Sequence, residues 1–138
     1  RKRSIAVIDE NFETFVKTSI PNLFSNNEKD ILEGKIELAK NIAKSTNKEG
    51  VKAAQLGMAE RPDRTEILEN LDAKILIIAG KYDNAVKTEN LLKIIPEKTN
   101  IKTYVLDCGH NGHWEKPTIC AEIINTELLH NLPKHFLL

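Results

Sequence analysis

The sequence predicts an α/β protein in two parts. A layer of helices covers residues 1–62, and a short parallel βαβ unit with a C-terminal helix covers residues 63–138. Three observations predict it. Residues 74–79 and 102–107 are short apolar runs rich in β-branched and aromatic residues, which reads as two strands. The segment between them, residues 87–95, is helical in character and stops at Pro96. The first 62 residues carry helix-period apolar spacing instead. A strand–helix–strand of this length forms a crossover, so the strands run parallel with the helix over one face of the sheet.

Each element has its own warrant. Ile5, Ile8, Phe12, Phe15 and Val16 fall at helical spacing and predict one amphipathic helix over residues 3–18. It is expected to end at Ser19-Ile20-Pro21, because a residue before proline disfavours the α region. Residues 22–27 read as a loop whose Leu23 and Phe24 tuck onto neighbouring helices. A second helix is expected over residues 28–44, with Asn27 as its cap and Glu28 and Asp30 at its positive end. Its apolar residues, among them Ile31, Leu32, Ile36, Leu38 and Ile42, form a wide face suited to several partners. Thr46 and Glu49 have the spacing of a capping box, opening a helix to about residue 59 with a stripe of Val51, Ala54 and Met58. Asp63, Arg64, Thr65 and Glu66 open a short helix to residue 70. Pro117 suits the first turn of the last helix, where a missing N–H costs nothing. That helix is expected to run to about residue 131, burying Ile119, Cys120, Ile123, Ile124 and Leu128, and the apolar tail, residues 135–138, needs a surface to cover it.

Parallel strands bring their carboxyl ends to one edge, and open α/β sheets place their chemistry there. Asp83 follows the first strand as Gly80-x-x-Asp83. His110 follows the second as Gly109-His110, with Glu115 and Pro117 shortly after. Asp83 has turn neighbours, and a turn residue is its plain structural reading. An imidazole with an ordinary pKa near 6.5 can take and return a proton, and a carboxylate beside it fixes its tautomer.

These residues, in this order, resemble the C-terminal half of an α/β-hydrolase. Arg61, Pro62 and Asp63, followed by Ile67 and Leu68, are similar to the return from cap to core in many members. The resemblance implies that Asp83 and His110 are the acid and base of a Ser-His-Asp triad and that residues 1–62 are a cap. It gives Glu115 the part of a brace for the histidine loop, with no cofactor and no metal. It also implies a Gly-x-Ser-x-Gly nucleophile turn before the cap, a pattern these 138 residues do not contain. The chain opens on Arg1 and its only methionine is Met58. The expectation is therefore the second half of a longer enzyme that hydrolyses a small carboxylic ester, lactone or similar acyl compound. By itself such a half is inert. Its partner is its own N-terminal half or a second copy.

Other chemistries have less behind them. Twenty basic and twenty acidic residues cancel, so neither a nucleic-acid stripe nor an acidic arm is indicated. The apolar runs are far too short to span a membrane, and no leader pattern is present, so a cytoplasmic setting is expected. His110 and His113, with Asp107 or Glu115, make at most a weak metal pattern. The plainer reading of His113 is a loop residue beside Trp114. Cys108 and Cys120 read as buried, reduced thiols rather than as a nucleophile or a disulfide. Asp63 and Arg61 read as a cap or ion pair. Phe12, Phe15, Phe24, Met58 and Trp114 are candidates for a pocket lining, with ordinary packing as the simpler reading of each. A non-catalytic alternative remains: a module that pairs through an exposed strand edge.

Overall fold

The computed structural model describes residues 2–129. The 135–138 tail and the last residues of the expected C-terminal helix lie outside them. Four helices form the first layer: α1 (Lys2–Glu10), α2 (Phe12–Ser19), α3 (Lys29–Ser45) and α4 (Lys48–Glu60). The short α5 (Thr65–Asn70) leads into β1 (Ile75–Gly80), α6 (Thr88–Ile94) and β2 (Ile101–Leu106). Then come α7 (Gly112–Glu115), α8 (Pro117–Ile124) and a π-helical turn, Asn125–Leu129. The strands pair parallel and without a slip, from Ile75 opposite Ile101 to Gly80 opposite Leu106. The βαβ expectation thus holds, with strand boundaries shifted by a residue.

Within the helical layer the periodicity places the core correctly and the ends less well. Residues 3–18 make two helices, not one. Asn11 takes an extended conformation (φ −156°, ψ 98°), and its side-chain oxygen accepts the Thr14 N–H at 2.9 Å. Asparagine offers the backbone an alternative partner and so competes with helix continuation. The bend still leaves Ile8, Phe15 and Val16 in one buried cluster. At the end of α2, Ile20 is itself helical (φ −63°, ψ −48°), so steric exclusion before Pro21 is not the cause. Pro21 lacks the N–H the next turn needs, and the chain tightens into a 3₁₀ turn, Pro21–Leu23.

Caps are likewise supplied by neighbours of the expected residues. Ser25, not Asn27, caps the turn before α3, its hydroxyl accepting the Asn27 N–H at 3.2 Å. Asn47, not Thr46, caps α4, accepting from Gly50 N–H at 3.0 Å. The Thr46 hydroxyl instead turns back to the Ile42 carbonyl. The wide face of α3 is only partly used. Leu32 and Ile36 are buried with Phe24, whereas Ile31 is 81% exposed and Leu38 and Ile42 are exposed too. In α4 the packed residues are Val51 and the buried Gln55, and Met58 lies exposed. In α8 only Cys120 is buried; Ile119 and Ile124 are exposed, as is Leu128 on the π turn. Among the described residues, α8 packs chiefly on its chain neighbours α7 and the π turn, which leaves its outer stripe without a facing element.

Glu127, on the π turn, fastens the C-terminal end of the described chain to the sheet. Its buried carboxylate accepts from the Tyr104 hydroxyl at 2.6 Å and from the Lys102 ammonium at 2.9–3.0 Å. Lys74, just before β1, joins it at 3.4 Å and also donates to the Glu127 carbonyl. The Tyr104 and Lys102 hydrogen bonds hold the carboxyl well below the carboxylate range, at about 2. No helix of the described residues is long and apolar enough to cross a membrane.

Candidate active site

The two segments that leave the strands are bound to each other before any side chain is considered. Lys81 N–H donates to the Leu106 carbonyl at 2.8 Å and Tyr82 N–H to the Cys108 carbonyl at 2.9 Å. A Cβ on Gly80 would overlap the Gly109 carbonyl, so only glycine permits this approach. Gly109 is a glycine for the same reason. No glycine of the described residues has a positive φ, but a Cβ there would sit 2.6 Å from the backbone of Phe24 and of Ser25. The Gly-His pair is thus fixed by close packing rather than by a left-handed turn.

This brings Asp83 and His110, 27 residues apart, into contact: Asp83 Oδ2 lies 2.8 Å from His110 Nδ1. Asp83 is 8% exposed. Its other oxygen, Oδ1, accepts from Ala85 N–H at 2.7 Å and Val86 N–H at 2.8 Å. The turn reading of Asp83 holds for Oδ1, and Oδ2 is the oxygen that faces the imidazole. Two backbone donors pin the carboxylate and leave Oδ2 aimed at the ring. Asp83 can only accept, so a neutral His110 carries its proton on Nδ1 and presents Nε2 as a base. The His110 side chain is 41% exposed, and Nε2 has no partner among the described residues.

Glu115 holds the histidine loop from beneath. It is 7% exposed, and its carboxylate accepts from Gly109 N–H at 2.9 Å and from Ser25 N–H at 3.0 Å. The second contact reaches across 90 residues into the helical layer. Four more bonds cross the same seam. Asn111 N–H donates to the Leu23 carbonyl at 3.1 Å, Lys35 to the Trp114 carbonyl at 2.6 Å, and Lys116 to both Glu28 oxygens at 2.7 and 2.8 Å. Trp114 packs edge-on against Phe24, with ring centroids 6.1 Å apart. Ser25, Glu28 and Leu23 went unread as site residues because their contacts are long-range, those of Ser25 and Leu23 through the backbone and that of Glu28 through its carboxylate. The one available cue was an acidic–basic sequence, Glu115-Lys116, beside the histidine.

The remaining candidates separate. His113 lies edge-on to Trp114 at 6.4 Å, and among the described residues no three His, Cys, Asp or Glu side chains are grouped to hold a metal. Cys108 is buried, and burial, followed by the nearby Glu115 charge, pushes its thiol up to about 11. It is a packed thiol, as is Cys120. Asp63, one residue before the N-cap of α5, accepts from Thr65, at 2.8 Å from its N–H and 2.6 Å from its hydroxyl, and Arg61 makes no ion pair among the described residues. The five apolar pocket candidates do not share a pocket. Phe12 and Phe15 line one cavity, Phe24 and Trp114 belong to a separate cluster, and Met58 sits at a third place, beside Arg61 and Leu68.

Two solved structures are similar to the whole arrangement. One is a thermophilic esterase from Thermogutta terrifontis, solved with malate bound. It is 28% identical, with a TM-score of 0.82 over 94% of this chain and 48% of that one. The other, MGS-M2, is an α/β-hydrolase from a Medee basin deep-sea metagenome library. It is 18% identical, with a TM-score of 0.64 over 94% of this chain and 52% of that one, a likeness of fold alone. No protein-family model matches the sequence, and no curated protein matches it. The chain has a partial α/β-hydrolase fold and is related to that family. It spans about half the length of the two solved structures.

Proposed function

We propose that this chain supplies the base and its orienting acid to a serine-type hydrolase of small carboxylic esters, lactones or similar acyl compounds. A serine outside these 138 residues attacks the acyl carbon while His110 Nε2 takes its proton. His110 then returns that proton to the leaving alcohol, and the same steps run through water release the acid. Asp83 holds the ring in the Nδ1–H tautomer and offsets the charge of the imidazolium. The oxyanion donors also come from outside the chain. Residues 1–62 act as the cap over this edge. The observation that carries the reading is the 2.8 Å contact between His110 Nδ1 and Asp83 Oδ2 at the carboxyl edge of two parallel strands. Likeness to an esterase over 94% of the chain supports it.

The test is p-nitrophenyl ester turnover. The 138 residues alone are expected to be inert. Joined to the segment that carries the nucleophile they turn over ester, and His110→Ala then lowers kcat about 10⁴-fold or more. Turnover by the joined protein that survives His110→Ala would sink the proposal.

A second reading rests on the sheet. Among the described residues β1 pairs only with β2, which leaves an outer strand edge that can recruit a strand from the chain's own N-terminal half or from a second copy. Light scattering that finds a folded monomer at high concentration argues against the second copy.

A further inference from the structure

Between α2, the turn that follows it, the end of α3 and α4 lies a cavity of about 260 Å³ that the acid–base chemistry does not use. Its walls are mostly apolar, with Phe12, Phe15 and Val51 prominent, and three polar residues also line it: Ser19, Thr46 and Gln55. The rings of Phe12 and Phe15 are near-parallel (15°, centroids 6.3 Å apart) and form an aromatic wall. None of the ten lining residues is charged. An ion taken into such a site loses its hydration with nothing to replace it, whereas a neutral ring loses little and gains contact. A dry engineered cavity of roughly 150 Å³ suffices for benzene, so this one has room for a substituted ring. The hydroxyls of Ser19 and Thr46 in the lining can meet a single hydrogen-bonding atom on the guest. One residue of the cavity is tied to the site through the backbone. Leu23 is part of its wall, and the Leu23 carbonyl accepts the N–H of Asn111, the residue after His110.

We propose that this cavity binds a neutral monocyclic aromatic group bearing one hydroxyl or carbonyl. If the hydrolase reading above is right, that group is the aryl arm of the ester. Binding itself does not rest on that reading.

The experiment is a titration of the protein with benzyl alcohol and, separately, with benzoate at neutral pH, followed by backbone amide chemical shifts. Benzyl alcohol is expected to move the amides of Phe12, Phe15 and Val51 saturably, and to bind at least about tenfold more tightly than benzoate. Val51→Phe, which fills the space, abolishes the shifts. Because overpacking can unfold a core, the comparison of the two ligands on the unaltered protein stands without the variant. Equal binding of benzoate, or shifts confined to residues away from the cavity, overturns the proposal. So does the absence of any shift up to the solubility of benzyl alcohol. The result is separable from the hydrolase test, since ligand binding needs no nucleophile and ester turnover sensitive to His110 needs no cavity occupant.

Discussion

Glu115 and Glu127 are both buried carboxylates at opposite ends of the same two strands, and they are satisfied in opposite ways. Glu115, at the carboxyl edge, takes two backbone N–H groups, one from Gly109 and one from Ser25. Glu127, toward the amino ends, takes side-chain donors, the Tyr104 hydroxyl and the two lysines. Backbone donors have no rotamers, so their geometry passes directly to the chain that carries them. Lysine ammoniums sit on long stems and follow their partner wherever it settles. The rim that positions His110 is held by the rigid kind and the C-terminal turn by the adaptable kind. Position, not attachment alone, is what the candidate site requires.

The largest effect that sharpens this contrast is Glu115→Ala. It leaves two buried N–H donors without partners, at a cost of about 2–5 kcal/mol in urea unfolding. It also frees the histidine loop, so the His110 ring resonances shift and broaden. Glu115→Gln is expected to restore little, because an amide offers one acceptor where two donors converge. If Gln rescues fully, the rim is no more demanding than the other end.

Gly109→Ala comes next. Its new methyl meets backbone, which cannot rotate away, so about 1–3 kcal/mol is lost and the ring of His110 is displaced. Unchanged His110 shifts in a stable Gly109→Ala protein would break the close-packing account of this position.

Glu127 is read by pH. Its carboxyl sits at about 2 when folded against an ordinary 4.5, so the carboxylate's stabilising effect is complete above 4.5 and fades as pH falls toward 2. Glu127→Gln should therefore lower the thermal midpoint at pH 7 and make it less sensitive to pH across that window. Lys102→Met is expected to have the smallest effect, a slight fall in midpoint that added salt diminishes, because that ammonium is half-exposed.

What was legible in the sequence divides along the same line. The strands, their parallel run and the meeting of Asp83 with His110 followed from short apolar runs, turn residues and the crossover rule, all of which act locally or through chain topology. The two-helix break at Asn11 was missed because the apolar spacing is continuous through it, while the cap competes only through a side-chain oxygen. The same weakness moved two caps by a residue or two, where several polar neighbours offered an oxygen. The buried stripe expected for α8 was misjudged because periodicity reports which residues are apolar, not whether another element faces them. Ser25 and the Glu127 cluster were out of reach altogether, since each is completed by partners at least 20 residues away and carries no local pattern.

The central claim is the pairing of His110 with Asp83, and the ring nitrogens report it directly. Long-range ¹H–¹⁵N correlation of a ¹⁵N-histidine-labelled sample at a pH where His110 is neutral should show Nδ1 protonated and Nε2 bare, with Asp83→Ala abolishing that preference. A ring that carries its proton on Nε2, or one whose tautomer does not change in Asp83→Ala, would contradict the account.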